Sequence, residues 1–347
     1  MKIKEFVFSD KKVHIYWDFS FAQLEQLTSR TNTVILTDHQ VFKLYKDLFN
    51  NWKIIVIDVG EAAKQQSTIN EVVRQLMEMG ADKSTCLVGV GGGVVTDIAG
   101  FVASIYMRGI DFGFVPTTLL GMVDASIGGK NGIDVGDFKN MIGTTNQPSF
   151  LVYDFAFLNS LSEEDWSNGF AEIIKHACIK DQEMFNDLEL STIDHYRINI
   201  PALTALVEKN VHIKMQIVQS DEFETGERKL LNFGHTIGHA IERVCNLSHG
   251  KAISKGMVCA AMISEKISNL PESNSIRVVS LLRKYGLPTD IDIDVVSVMR
   301  NVNMDKKRKG NDISYILLDR IGKARIKAIP LDEFSQLCNQ LSSFGID

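Results

Sequence analysis

The spacing of hydrophobic positions changes part-way along the chain. Up to about residue 160, short β-branched runs alternate with helix-spaced ones, the pattern of βαβ units and a mostly parallel sheet. Residues 33–38 and 53–58 read as strands, with a helix through Val41, Leu44, Leu48 and Phe49 between them. Residues 69–79 place their apolar side chains on one helical face and stop at Gly80. Residues 85–90 form a buried strand that runs into Gly91-Gly92-Gly93 and a helix to Ser104, and 112–115 and 149–154 are further strands. From about Leu161 period-two runs almost vanish. Helical periodicity then predicts helices over 163–179, 200–220, 233–245, 251–267 and 276–285, followed by a hairpin (313–318 with 323–329) and a last helix. The expectation is therefore an α/β, Rossmann-like domain with a mostly parallel sheet over 1–160, and a mostly α-helical domain over 161–347. No internal repeat or low-complexity segment interrupts this order.

Composition narrows the function classes. A chain of 347 residues is long enough for two domains with a core each. Its net charge of −6, with Lys and Arg spread along the sequence, suggests no broad basic face for nucleic acid. The one dense run, Asp305-Lys306-Lys307-Arg308-Lys309-Gly310, is local: a solvated loop, or a place for one phosphate-holding lysine. The five cysteines (Cys86, Cys178, Cys245, Cys259, Cys338) are scattered and lack a Cys-x-x-Cys pair, which argues against a disulfide framework or a thiolate metal site and fits a reducing cytoplasm. Charges interrupt the apolar residues of the N-terminus, and no stretch reaches the apolar length of a membrane span, so neither a signal segment nor membrane insertion is expected.

Candidate chemistry gathers in a few stretches. In 231–240, His235 and His239 fall four apart, and a helix there would put them on one face with Asn232. His249 follows soon after and Glu172 lies in an upstream helical run. Imidazoles with one carboxylate suit a divalent metal that keeps an open position, whereas isolated histidines of this spacing serve equally well as caps or hydrogen-bonded structure. Strand, glycine triplet and helix aim backbone N–H groups at a pyrophosphate, although Gly91-Gly92-Gly93 lacks the Gly-x-Gly-x-x-Gly spacing. Asp97, one turn into that helix, and Thr117-Thr118, at the end of the next strand, can face the same ligand. Asp38 ends a strand where it would meet a ribose or simply cap a helix. The stretch from Asp124 to Gly132, followed by Lys139-Asn140, reads as a glycine-rich loop offering Asp124, Lys130, Lys139 and Asn140 to an anion. Glu172, Lys175 and His176 share one helical face, and Lys214 interrupts an apolar run.

Gly91 to Asp97, Pro116 to Leu120, Asp124 to Lys130, Lys139-Asn140, Ala171 to Lys175 and Leu231 to Ala240, in that order, resemble the 3-dehydroquinate synthase family. The resemblance runs from about Gly60 to Ala261. It implies an NAD- and metal-dependent lyase with an N-terminal α/β domain and a helical C-terminal domain. Such an enzyme converts 3-deoxy-D-arabino-heptulosonate 7-phosphate to 3-dehydroquinate and phosphate by transient oxidation, phosphate elimination, reduction, ring opening and aldol closure. By similarity Glu172, His235 and His249 are metal ligands, for zinc or cobalt, and His239 is a proton-transfer group. Lys130, Lys214, Arg228 and Asn232 hold the carboxylate and hydroxyls, and Arg108, Lys139, Asn140 and Lys307 (or Lys306) lie near the phosphate. Glu61, Lys64, Gly91, Gly92, Gly93, Asp97, Thr117 and Thr118 look like nucleotide contacts, with Lys130 and Lys139 beside them and Asp38 at the adenosine end. Lys175 and Asp124 join His239 and Lys130 as catalytic candidates. The family's usual state is a cytoplasmic homodimer.

The chain departs from the family pattern at Thr96, where glycine is usual, at Ala125, where serine is common, and over 133–138. Lys251 stands where glutamate is usual, and Gln40 where asparagine is expected. A metal-dependent alcohol or glycerol dehydrogenase shares the glycine triplet and Pro-Thr-Thr, but has no use for Lys130, Lys139, Lys214 and Arg228 on a neutral alcohol. Valiolone and inosose synthases share the first steps on substrates without a carboxylate, against which Lys214, Arg228 and Asn232 argue.

Overall fold

The triple glycine sits at the end of a fully buried strand, and the elements around it follow from the same apolar runs. A computed structural model describes residues 2–9, 11–136, 138–291, 295–296, 299–300, 308–309 and 311–341. The chain divides into two compact units, one of Met1–Asp165 with Lys214–Glu222, the other of Trp166–Ile213 with Phe223–Asp347.

In the first unit the strands are Lys2–Val7 (β1), Lys12–Trp17 (β2), Thr33–Asp38 (β3), Lys53–Ile57 (β4), Cys86–Gly91 (β5) and Asp111–Pro116 (β6), then a separate pair, Lys130–Val135 (β7) and Phe138–Thr145 (β8), and Phe150–Tyr153 (β9). Seven of them form one sheet in the order β1-β2-β9-β6-β5-β3-β4, parallel throughout except for the antiparallel β1/β2 edge. Every residue of β5 and β9 is buried, as expected of central strands covered on both faces. Ile35, Val88, Val90, Val115 and Val152 pack with Phe21, Phe49 and Phe157 into one core. Each such side chain stabilises the fold by about 1.5–3 kcal/mol relative to exposure. Helices His39–Leu44 (α1), Gln66–Glu78 (α2) and Gly93–Ile105 (α3) follow strands or their loops.

The second unit is mostly helical: Glu163–Lys180 (α4), Gln182–Leu190 (α5), Ile193–Ile198 (α6), Ile200–Ser220 (α7), His235–Cys245 (α8), His249–Ser268 (α9) and Glu272–Lys284 (α10). The first residues of α4 and the last of α7, from Lys214, are counted with the first unit. Strands Asp312–Arg320 and Lys323–Pro330 pair antiparallel, and helix Leu331–Leu341 comes after them.

Three local differences from the sequence expectation have physical causes. The stretch read as an anion-binding loop after Asp124 instead forms the β7/β8 hairpin, with Gly132 opposite Gly143. It has little period-two signal because two glycines occupy facing positions and most of β8 is exposed. The β1/β2 hairpin also went unread, since charges and exposure break up the apolar pattern of β1. The helix expected through Phe49 ends at Leu44 and gives way to a 3-10 turn, Lys46–Phe49.

Candidate active site

In the first unit the polar groups converge on the glycine triplet's helix and the β7/β8 hairpin. Gly92 caps α3 and, being glycine, offers no side-chain acceptor to the first-turn N–H groups of that helix. The Gly91 carbonyl accepts the Thr117 N–H at 3.0 Å, tying the ends of β5 and β6 together. A Cβ on Gly92 would come within 3.2 Å of the Thr118 side chain, and one on Gly91 within 2.5 Å of Val95. Buried Lys64 donates to Asp97 Oδ2 at 2.8 Å and to Asn140 Oδ1 at 2.7 Å. Glu61 lies 3.6 Å from both Lys64 and Lys139. Burial works against the charge on Lys64, but Asp97 and Glu61 outweigh it and hold the ammonium well above its ordinary range. Burial raises the Asp97 carboxyl, with Lys64 pulling it back. Asn140 has a left-handed backbone (φ 54°), and its N–H donates to Asp134 Oδ1 at 2.7 Å.

Lys214, largely buried, donates to the backbone carbonyl of Asp124 at 2.5 Å and to its carboxylate at 2.7 Å. Asp124 sits in the one-turn π-helix Gly121–Ala125, a local widening that is frequent at functional sites. Lys130, at the start of β7, and Arg108, with a left-handed backbone, are exposed. Asp38 caps α1, its carboxylate accepting the Val41 N–H at 2.8 Å.

In the second unit, Glu172 of α4 is fully buried, and its Oε1 lies 3.2 Å from His249 Nε2 and 3.5 Å from His235 Nε2. The three ligand atoms lie within 4.8 Å of one another. Donors about 2.1 Å from one tetrahedral ion stand roughly 3.4 Å apart, so both carboxylate–imidazole spacings suit a shared ion. His235 Nδ1 lies 3.1 Å from the Phe233 carbonyl. A proton held there leaves the Nε2 lone pair for a metal. The Lys175 ammonium pairs with the other Glu172 oxygen, Oε2.

Burial lowers the His249 pKa, but Glu172 and Glu242 more than reverse this, and it rises to about 9. Without a metal the ring is therefore held as a cation between two carboxylates, and an ion must displace a proton to bind.

Helix starts carry the two histidines, while Glu172 lies in the middle of α4. His235 and His249 each occupy the first position of their helix. Gly234 precedes His235 with φ 78°, a conformation that favours glycine. Asn168, four residues before Glu172 on α4, accepts the Gly250 N–H at 3.0 Å and so ties the start of α9 to the carboxylate's helix. Asn232 does not share the α8 face as its spacing suggested. It belongs to the 3-10 turn Glu227–Asn232, and its amide donates to Glu224 at 2.6 Å. Arg228, on the same turn, is buried. His239 is half-buried, its ring 5.1 Å from that of His235. His176 lies 3.1 Å from Asn210 Oδ1 across α4 and α7. Lys306 and Lys307 lie outside the described residues.

Residues 54–168 match the family model for the 3-dehydroquinate synthase N-terminal region, and residues 169–308 match that for the C-terminal region. The chain belongs to the 3-dehydroquinate synthase family. The 3-dehydroquinate synthase of Saccharolobus solfataricus is 42% identical over 306 residues, covering 86% of each chain. That of Streptococcus sanguinis is 36% identical, covering 90% of this chain and 91% of its own. Among solved structures, the 2-epi-5-epi-valiolone synthase of Streptomyces hygroscopicus with NAD+ and Zn2+ bound superposes with a TM-score of 0.85 at 26% identity, covering 99% of both chains. A probable glycerol dehydrogenase from Sinorhizobium meliloti shares the fold at a TM-score of 0.63 and 17% identity, covering 95% of both chains.

The departures from the family pattern take definite places. The Thr96 hydroxyl turns back onto its own helix and donates to the Gly93 carbonyl at 3.0 Å. Ala125 faces Gly93, where an added Cβ would come within 3.1 Å of its methyl. Lys251 is half-buried in the first turn of α9. Two residues went unread in the sequence. Asn168 is visible only as a position four before Glu172. Glu242 is three after His239 and seven after His235, a helical spacing that marks one face, and its Oε1 lies 3.8 Å from His249 Nδ1.

Proposed function

We propose that this chain is a 3-dehydroquinate synthase, releasing phosphate from 3-deoxy-D-arabino-heptulosonate 7-phosphate and closing the carbocycle of 3-dehydroquinate, a step of the shikimate pathway. The observation that carries the reading is the pair of imidazole Nε2 atoms 3.2 and 3.5 Å from one buried carboxylate oxygen. In this reading Glu172, His235 and His249 hold the divalent ion, zinc or cobalt. Lys64, Asp97, Glu61, the glycine triplet, Thr117 and Thr118 receive NAD, with Asp38 toward the adenosine and Lys130 and Lys139 beside the nucleotide. Bound in these places, NAD would supply reversible hydride transfer with a ring carbinol, and an ion held by Glu172, His235 and His249 would supply a Lewis acid for its oxygen.

The chain's own residues do the rest. Lys175 pairs with Glu172 Oε2 and so offsets the cost of burying that carboxylate in α4. His239, half-buried and close to His235, moves the hydroxyl proton, a task suited to imidazole near neutral pH. Lys130, Lys214, Arg228 and Asn232 orient the carboxylate and hydroxyls, and Asp124 fixes the Lys214 ammonium. Arg108, Lys139, Asn140 and Lys307 take the phosphate. In its elimination the proton on the adjacent carbon passes to an oxygen of that phosphate, which leaves with the electrons of the broken C–O bond. The wider proposal is a cytoplasmic homodimer divided into an NAD-binding domain over 1–160 and a metal- and substrate-binding domain over 161–347.

The dehydrogenase fold relatives set the test. Supplied with the heptulosonate phosphate and NAD, the protein should release phosphate without a lasting rise in NADH absorbance, and chelation should stop the release. Accumulating free NADH without phosphate release would transfer the chain to the dehydrogenases.

A further inference from the structure

Beyond the three ligands already described, α8 presents a second set of donors. His239, Glu242 and His249 bring one ligand atom each to within 4.8 Å of one another, and His249 is common to both sets. The Glu242 side chain is nearly buried, and its Oε1 stands 3.8 Å from His249 Nδ1. That is too long for a hydrogen bond but a separation that two donors can take across an ion. The two nitrogens of His249 thus face two carboxylates, Nε2 toward Glu172 and Nδ1 toward Glu242. His239 completes the second set, its ring centroid 6.2 Å from that of His249.

We propose that His239, Glu242 and His249 Nδ1 form a second, weaker divalent-cation site whose occupation inhibits the enzyme. The proposal rests on the reading of Glu172, His235 and His249 as the first site. The second site is the weaker one for two reasons. A neutral imidazole has one lone pair, so an ion at Nδ1 must displace that ring proton to solvent. Two dications sharing one ring also repel each other. Occupation inhibits because it engages His239, the proposed proton carrier, and loads the ring that serves the first ion. Soft and borderline ions that favour imidazole, zinc and cobalt, fit this set better than magnesium.

Cobalt titration of the chelated full-length protein, followed by equilibrium dialysis and visible absorption, tests the proposal. A tight equivalent should bind first and a weaker one at higher cobalt, with phosphate release rising and then falling over the same two ranges. In Glu242→Gln the weaker equivalent and the inhibition by excess cobalt should disappear while the tight equivalent remains. In His235→Ala the tight equivalent should be lost and the weaker one kept, now as the sole binding phase. A single equivalent at all cobalt concentrations, or inhibition of unchanged strength in Glu242→Gln, would overturn the second site and leave the first standing. Loss of the tight phase in Glu242→Gln but not in His235→Ala would overturn both assignments.

Discussion

Glu172 is buried without any exposure, with Lys175 on one oxygen and His235 and His249 toward the other. This makes the metal-free protein sensitive to pH through His249. Its folded pKa of about 9 lies above the ordinary 6.5, so the group stabilises the chelated fold fully below 6.5 and loses that contribution as pH rises through 9. Thermal denaturation of chelated protein should therefore show a Tm that falls from pH 6.5 to 9. The cobalt-loaded protein should gain stability over the same range relative to the chelated one, because its ligand ring is neutral. An identical pH trend for both forms would contradict the placement of His249 beside the ion. At this scale Glu172, His235 and His249 were legible because residue type and family order single them out. Glu242 and Asn168 were not, since a carboxylate or amide on a helix has many commoner uses, and only the packing of α4, α8 and α9 gives them a neighbour.

Elements succeed or fail as sequence readings according to how continuously they are buried. The parallel strands β3, β5 and β9 announce themselves as apolar runs, whereas β7 and β8, both glycine-bearing and the second largely exposed, carry no such mark. The approach of α9 to α8 is equally silent, although it seats the histidines. A Cβ on Gly256 would fall 1.9 Å from the Gly234 carbonyl, backbone that cannot swing aside. Gly256→Ala should cost about 1–3 kcal/mol of stability by overpacking. It should also weaken cobalt binding, since the strain falls on the residue before His235. Denaturant unfolding with parallel cobalt titration checks both. Unchanged stability and metal affinity would show that the two helices do not approach as closely as described.

For the whole molecule, the proposal assigns the nucleotide to residues of the first unit and the metal to residues of the second, and this separation is measurable. Chelation should abolish turnover yet leave NAD binding intact in equilibrium dialysis. Lys130→Ala should likewise lose turnover with NAD binding retained, since Lys130 is assigned chiefly to the substrate; loss of NAD binding in that variant would move it to the nucleotide. The change from alternating strands to long helices was readable along the chain. What was not readable is that Lys214–Glu222 belongs with the first unit, because helical periodicity runs unbroken through α7 and does not report which body a helix end joins.

The most direct measurement takes cobalt content and phosphate release on the same samples of wild type, Glu172→Ala and His235→Ala, loaded with stoichiometric cobalt and supplied with NAD and the heptulosonate phosphate. The account predicts that both variants lose the tightly held ion and that their phosphate release falls by about a thousandfold or more, the several kcal/mol an ion contributes to such a transition state. Full metal content and turnover in either variant would contradict it.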